Sequence, residues 1–406
     1  MITSKETQAA AEALKSGWLG LGPRVREFET RFAAFVGSAY SVATSSCTSA
    51  LDISLRALDL PDGAEVLLPS ITFISCADRL LKNRLVPVFC DIDPVSLCID
   101  PQSIEQHLTE KSKLILPVHL YGGLAKMRDI HEIAERHDLM VIEDAAHATG
   151  AKYHGRPVGS LAGTAMTCFS FEAKKIITCG DGGMVTLNDE ELFNKLRRLR
   201  NQGISADTFA RVKRRTYNWD YDVVGLGERA YMNDVAGAIG LAQLDRVPHI
   251  IRKRRQLAEC YTRHLQAIDE IEVPIEVSDT DRAWWAYVVK VRPRLDRDAL
   301  SRYLARKGIA TSVHYKPLYH HPLLREYRRD LPVTERVWLR ILTLPLFCAM
   351  TERDVLTIVK SIKKWLAQRH RRHASRSAPI QNPHQAGSVS SASRGMACGY
   401  AHARSL

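Results

Sequence analysis

Two lysines stand ahead of a glycine-rich turn: Lys174 and Lys175 follow Ser170 and lead into Gly180-Asp181-Gly182-Gly183. A doubled lysine alone is more often an exposed charge pair than a catalyst. Upstream, an apolar run at 139–143 ends in Asp144, followed by Ala145, Ala146 and His147. Earlier still, Ser45, Ser46, Cys47 and Thr48 precede a segment whose Leu51, Leu55 and Leu58 share one helical face. Hydroxyl residues at such a place are ordinary caps. The same geometry also points free backbone N–H groups and the positive helix end at one spot, which suits an anion. Phe73 adds an aromatic ring on the loop after the run at 65–70. An amine, an acid, an anion cradle and an aromatic ring are together what pyridoxal phosphate requires. The amine bonds its aldehyde, the acid keeps its ring nitrogen protonated so that the ring withdraws electrons, and the cradle anchors its phosphate.

These residues need a scaffold that presents them on one side. Between Glu65 and Asp189, β-rich runs recur at EVLLPS (65), VPVFCDID (86), LILPVHL (114), VIED (141), TAMTCFSF (164) and GGMVTLND (182). Helix-like stretches such as Ser103–Leu108 and Met127–His137 separate several of them, with apolar residues three and four apart. The alternation predicts an α/β fold with a mainly parallel central sheet flanked by helices. Ligands of such sheets sit beyond the carboxyl ends of the strands. A helical pattern follows from Asn233 to about Leu265, divided or kinked at Pro248. A smaller C-terminal α+β domain is expected next, with strands at 283–291 and 309–315, a helix over 296–307 and a last helix near 352–365. The expected division is a large domain over 1–245, a small one over 246–368 and a basic, structureless tail over 369–406, where large apolar residues are almost absent.

With 406 residues, 45% hydrophobic and 25% charged, the chain is long enough for two domains sharing a substantial core. The net charge of +12 raises the question of a nucleic-acid partner. Six of the arginines (Arg369, Arg371, Arg372, Arg376, Arg394 and Arg404) lie in the acid-free tail, leaving 51 basic against 45 acidic residues elsewhere. That surplus suits an anionic small substrate, and no nucleic-acid partner is expected. No apolar run is long enough to cross a bilayer, and the first residues lack a secretory pattern, so a cytoplasmic location is expected. The nine cysteines form no CxxC pair and read as reduced, buried small hydrophobes. No metal site is expected.

The order VATSSCTSAL, LPSITFISC, VPVFCDIDP, LPVHLYGG, VIEDAAHATGAKYHGRPVGS, FSFEAKKIITCGDGGMV and MNDVAGAIGLAQL resembles the DegT/DnrJ/EryC1/StrS family of sugar aminotransferases, from about Leu14 to about Trp365. The resemblance implies the fold-type I architecture of pyridoxal-phosphate aminotransferases and a homodimer with shared active sites. By position, it makes Lys175 the lysine bonded to the cofactor and Asp144 the partner of the ring nitrogen. His147 then lies near the ring's 3-hydroxyl, Phe73 stacks on the ring, and Ser46, Cys47, Thr48 and Ser170 hold the phosphate. Arg229 stands where many relatives have Asn, in a loop that in the family reaches the partner subunit's cofactor; it either makes that contact as a cation or is a surface residue. Trp18, His314 and Tyr315 resemble segments lining the sugar-nucleotide pocket, although isolated aromatics are more often packing. The implied reaction moves an amino group, from glutamate, to a nucleotide-linked keto sugar. A dehydratase of the same fold, in which a histidine replaces the lysine, and a non-catalytic cofactor-binding regulator are the rival readings. Gly20 and Gly22 follow a helical segment, which rules out a dinucleotide loop.

Overall fold

A computed structural model describes residues 2–206, 208–213 and 221–376. The chain divides into two compact units, Met1–Lys363 and Lys364–Leu406. The larger is built on a sheet of seven strands: β1 (Tyr40–Thr44), β2 (Glu65–Pro69), β3 (Val86–Cys90), β4 (Ser112–Ile115), β5 (Met140–Asp144), β6 (Met166–Ser170) and β7 (Gly183–Leu187). Across the sheet they lie in the order β1, β7, β6, β5, β4, β2, β3. The pairings among β2 to β6 are parallel. Only β7 runs the other way, antiparallel to both β6 and β1. Thr44, Pro69, Asp144 and Ser170 therefore finish along one edge.

Leu67, Val88, Ile142 and Phe169 are wholly buried, because helices cover both faces of the sheet. That explains why the strands read as continuous apolar runs and not as alternating ones. The helices are α1 (Ser4–Lys15), α2 (Pro23–Val36), α3 (Cys47–Ala57), α4 (Ser75–Lys82), α5 (Pro101–Gln106), α6 (Met127–Arg136), α7 (Glu190–Leu199), α8 (Thr208–Lys213), α9 (Asp234–Leu244) and α10 (Val247–Leu265). Helix α9, DVAGAIGLAQL, is small-residue-rich because α2 lies almost on its backbone. A Cβ at Gly237 would stand 2.8 Å from the Val25 nitrogen. Asn233 caps α9 by accepting the Ala236 N–H, and Asp234, the first residue of α9, accepts the N–H groups of Arg24 (3.2 Å) and Val25 (3.0 Å) at the start of α2, so the two helix N-termini are tied together.

Several boundaries differ from the sequence expectation. The 233–265 segment breaks at Asp245–Arg246, and Pro248 sits inside the first turn of α10, where its missing N–H costs nothing. The smaller sheet joins Ile271–Glu272, Tyr287–Val291 and Ile341–Leu344, with the helix Arg297–Ala305 beside it. Its central strand begins at Tyr287 and not at 283, because Trp284 adopts a left-handed φ of 52° that pleated backbone excludes. Residues 309–315 do not form the expected strand: Ser312 makes a single bridge to Thr343 before the chain leaves the sheet edge. Strand β1 was not anticipated from SVAT. The last helix, Glu352–Arg376, runs beyond Trp365 and past Arg369, where a structureless tail was expected to begin. Its Lys, Arg, Ala and Gln residues favour helix, and no Gly or Pro interrupts them there. The rest of the expected tail, 377–406, and Cys398 lie outside the described residues. The other eight cysteines are free thiols, six of them buried.

Candidate active site

Strand β1 delivers the anion cradle. Ser46 caps α3, its hydroxyl accepting the Ser49 N–H at 3.1 Å, and Thr48 and Ser75 share a hydroxyl contact of 2.7 Å. The first N–H groups of α3 have no acceptor within the helix and point outward. A Cβ at Gly183 would lie 2.5 Å from the Ser46 carbonyl, so glycine is what lets β7 start against this loop. The loop is held from behind. Ser45 donates to the Ala230 carbonyl at 2.6 Å. One residue inside β1, the Ala43 N–H donates to Glu29 (2.9 Å), and Arg200 donates to the Ala43 carbonyl (2.8 Å) while pairing with Glu29.

The acid and the amine come from neighbouring strands. Asp144 ends β5, buried, with Oδ1 accepting the Ala146 N–H at 2.9 Å and Oδ2 the Cys76 thiol at 3.0 Å. Burial, and then the Asp144 charge, push the Cys76 thiol up, so it stays protonated and able to donate. Lys175 lies on the excursion between β6 and β7. That excursion is closed by Phe171 N–H to Gly182 O (2.8 Å) and Cys179 N–H to Phe171 O (3.0 Å). Burial lowers the Lys175 ammonium from its ordinary value, opposed by Cys47, Asp144 and Glu172.

Trp285 links these groups. Its indole N–H donates to the Lys174 carbonyl at 3.0 Å, the Lys175 Nζ stands 4.9 Å from its ring, and its ring lies on His147 at 3.6 Å and 3°. Gly122 makes room for it: a Cβ there would meet the nitrogens of Trp284 and Trp285 at 2.9 Å. The Tyr121 N–H donates to His147 Nδ1 (3.4 Å), which assigns the ring proton to Nε2. Burial, then Lys175 and His314, hold His147 well below its ordinary range, so it is neutral. His314 is pushed down to about 4 by burial, then by Lys175 and Lys174, and its Nδ1 meets the Thr343 hydroxyl at 3.0 Å.

One cavity of about 520 Å³ is lined by Ser46, Cys47, Thr48, Phe73, Asp144, His147, Ser170, Lys175, His314 and Tyr315. Phe73 is half exposed, 6.0 Å from the Tyr315 ring. Two predicted residues are not brought there. Trp18 packs edge-on to Phe209 at 5.3 Å and donates to the Leu21 carbonyl. Arg229 is exposed, its guanidinium over Tyr231 at 5.7 Å. Sequence reasoning missed Trp285, which reads only as one of two tryptophans in an apolar run, and Cys76, whose thiol looks like any other buried one. The donor set fits pyridoxal phosphate: N–H and hydroxyl donors at the start of α3, a carboxylate fixed by two donors, and an amine with a lowered proton affinity.

A mainly parallel sheet with a lysine and a carboxylate meeting beyond its carboxyl edge is the fold-type I architecture of pyridoxal-phosphate aminotransferases. The chain belongs to the DegT/DnrJ/EryC1/StrS aminotransferase family, whose profile matches residues 1–363. It is 36% identical over 371 residues to the spore coat polysaccharide biosynthesis protein SpsC of Bacillus subtilis, covering 89% of this chain and 95% of that one. Among solved structures it is similar to the aminotransferase TlmJ from Streptoalloteichus hindustanus (33% identity, TM-score 0.83, 91% and 97% of the two chains). It is also similar to Helicobacter pylori PseC, an aminotransferase involved in the biosynthesis of pseudoaminic acid (26%, 0.84, 90% and 96%).

Proposed function

We propose that the chain is a pyridoxal-phosphate-dependent aminotransferase that moves an amino group, from glutamate, to a keto group on a nucleotide-linked deoxy sugar. The observation that carries this reading is the entry of Lys175 and Asp144 into one cavity from the ends of adjacent strands, with the cradle of α3 beside them. When bound, the cofactor supplies an electron sink that makes a neighbouring C–H acidic. Asp144, held by the Ala146 N–H and the Cys76 thiol, presents its carboxylate to the ring nitrogen and keeps a proton there. Ser46, Cys47, Thr48 and Ser170 bind the phosphate. Lys175 would hold the cofactor, and its Nζ would take a proton from and return it to the substrate carbon; its lowered proton affinity suits that task. Neutral His147 offers its Nε2 hydrogen to an oxygen on the ring. A sugar acceptor is supported by SpsC and PseC, and a nucleotide diphosphate by the basic surplus of the chain. The active unit is a homodimer in which exposed Arg229 reaches the partner's cofactor phosphate, with His314 and Tyr315 contacting the sugar nucleotide.

The test is Lys175→Ala. The variant should fold, lose the visible absorbance of the covalently held cofactor, and yield no aminated sugar by mass spectrometry. Retention of both signals would assign the role to another residue, and a product lighter by one water would move the chain to the dehydratase class.

A further inference from the structure

A second cavity, of about 440 Å³, meets the first at Lys174, Lys175, Trp285 and His314. The two differ in charge. Asp144, Glu172 and Asp181 line the first, whereas among the described residues no acidic one lines the second, which Arg254 also lines. Arg254 is 6% exposed. One of its amino groups donates to three carbonyls, those of Trp284 (3.2 Å), Trp285 (3.0 Å) and Leu346 (2.9 Å). Its Nε has no hydrogen-bond partner, the Cys348 thiol lies against the guanidinium, and among the described residues no carboxylate pairs with it. A guanidinium buried without a counter-ion is costly, and carbonyl dipoles compensate only part of its charge. Lys174 and Lys175 add positive charge at the junction of the two cavities, where burial first and then these two lysines hold His314 unprotonated.

Resting on the aminotransferase reading, we infer that this second cavity is an oxyanion subsite, in which Arg254 and Lys174 receive a carboxylate or phosphate oxygen of a substrate whose reacting end lies at Lys175. An oxyanion there offsets the uncompensated charge of Arg254 and fixes the ligand's orientation before any proton moves. The amino donor's carboxylate and the acceptor's phosphate share this chemistry.

Ser312 lines the same cavity and bonds Thr343 through its backbone, so its side chain can be changed without breaking those bonds. Glutarate and inorganic pyrophosphate are titrated calorimetrically into the cofactor-loaded protein as wild type, Ser312→Asp and Ser312→Asn. A carboxylate placed among these cations should weaken oxyanion binding at least about tenfold, while the neutral Asn variant stays within about twofold of wild type. A loss confined to glutarate assigns the subsite to the donor, and one confined to pyrophosphate assigns it to the acceptor. Arg254→Met probes the cation directly and should weaken the same ligand; if it fails to fold, the Ser312 pair decides. Wild-type affinity for both ions in Ser312→Asp, or no affinity in the wild type, overturns the inference. Binding is read without turnover, so a protein that binds yet transfers no amine would refute the aminotransferase reading alone.

Discussion

Glu29→Leu isolates the support beneath the anion cradle. Glu29 is 9% exposed and Arg200 1%; the pair brackets Ala43, two residues before Ser45. Removing the carboxylate leaves Arg200 buried with one carbonyl acceptor and deprives the Ala43 N–H of its partner. Breaking a buried pair from one side costs about 3–5 kcal/mol. A unit of 363 residues has an unfolding entropy of roughly 0.76 kcal/mol/K at about 2.1 cal/mol/K per residue, so the apparent Tm should fall by about 4–7 °C. Circular dichroism melts of the cofactor-free protein measure this without interference from ligand linkage. The double variant Glu29→Leu/Arg200→Met should melt above either single variant, because it removes both charges together. A single variant melting with the wild type, or a double variant that sums the two losses, would refute the idea that an unpaired charge is what matters. Retention of the cofactor on dialysis should weaken in parallel, because β1 carries Ser46 to Thr48.

Two further outcomes are expected. The folded chain protonates His314 only near about 4, whereas an unfolded histidine takes its proton near 6.5; the stability contributed is full above the higher value and is lost as pH falls between the two. Unfolding midpoints should therefore drop over that window, less steeply in His314→Gln. Cys76→Ala removes the donor to Asp144 Oδ2, a loss of about 1 kcal/mol or more. The cofactor dissociation constant by equilibrium dialysis should rise about fivefold or more, and Cys76→Ser should stay close to wild type.

The parallel strands were legible because burial on both faces leaves unbroken apolar runs, as in EVLLP and VPVFC. The residues after those runs were legible for the same reason, since strand direction decides which loops share an edge. Strand β1 was hidden because YSVAT is short, and its pairing with β7 depends on a partner about 145 residues away. Residues 309–315 carry β-branched residues, yet they meet the outer edge of the smaller sheet at one bridge, Ser312 to Thr343, and do not extend it. Trp285 and Arg254 escaped notice because their importance lies in tertiary placement. The indole matters through a glycine at 122 and a carbonyl at 174, and the guanidinium through the lack of a paired carboxylate among the described residues.

The walls of the candidate site arrive at different times. Lys175 and Asp144 are made more than a hundred residues before Trp285, His314 and Tyr315. On a ribosome, where chains fold from the amino end onward, the nascent sheet exposes its lysine and carboxylate to a half-open cleft. The indole that overlies His147 closes that cleft only late in synthesis, so fragments ending before residue 285 should fold in part yet hold the vitamin-derived group poorly.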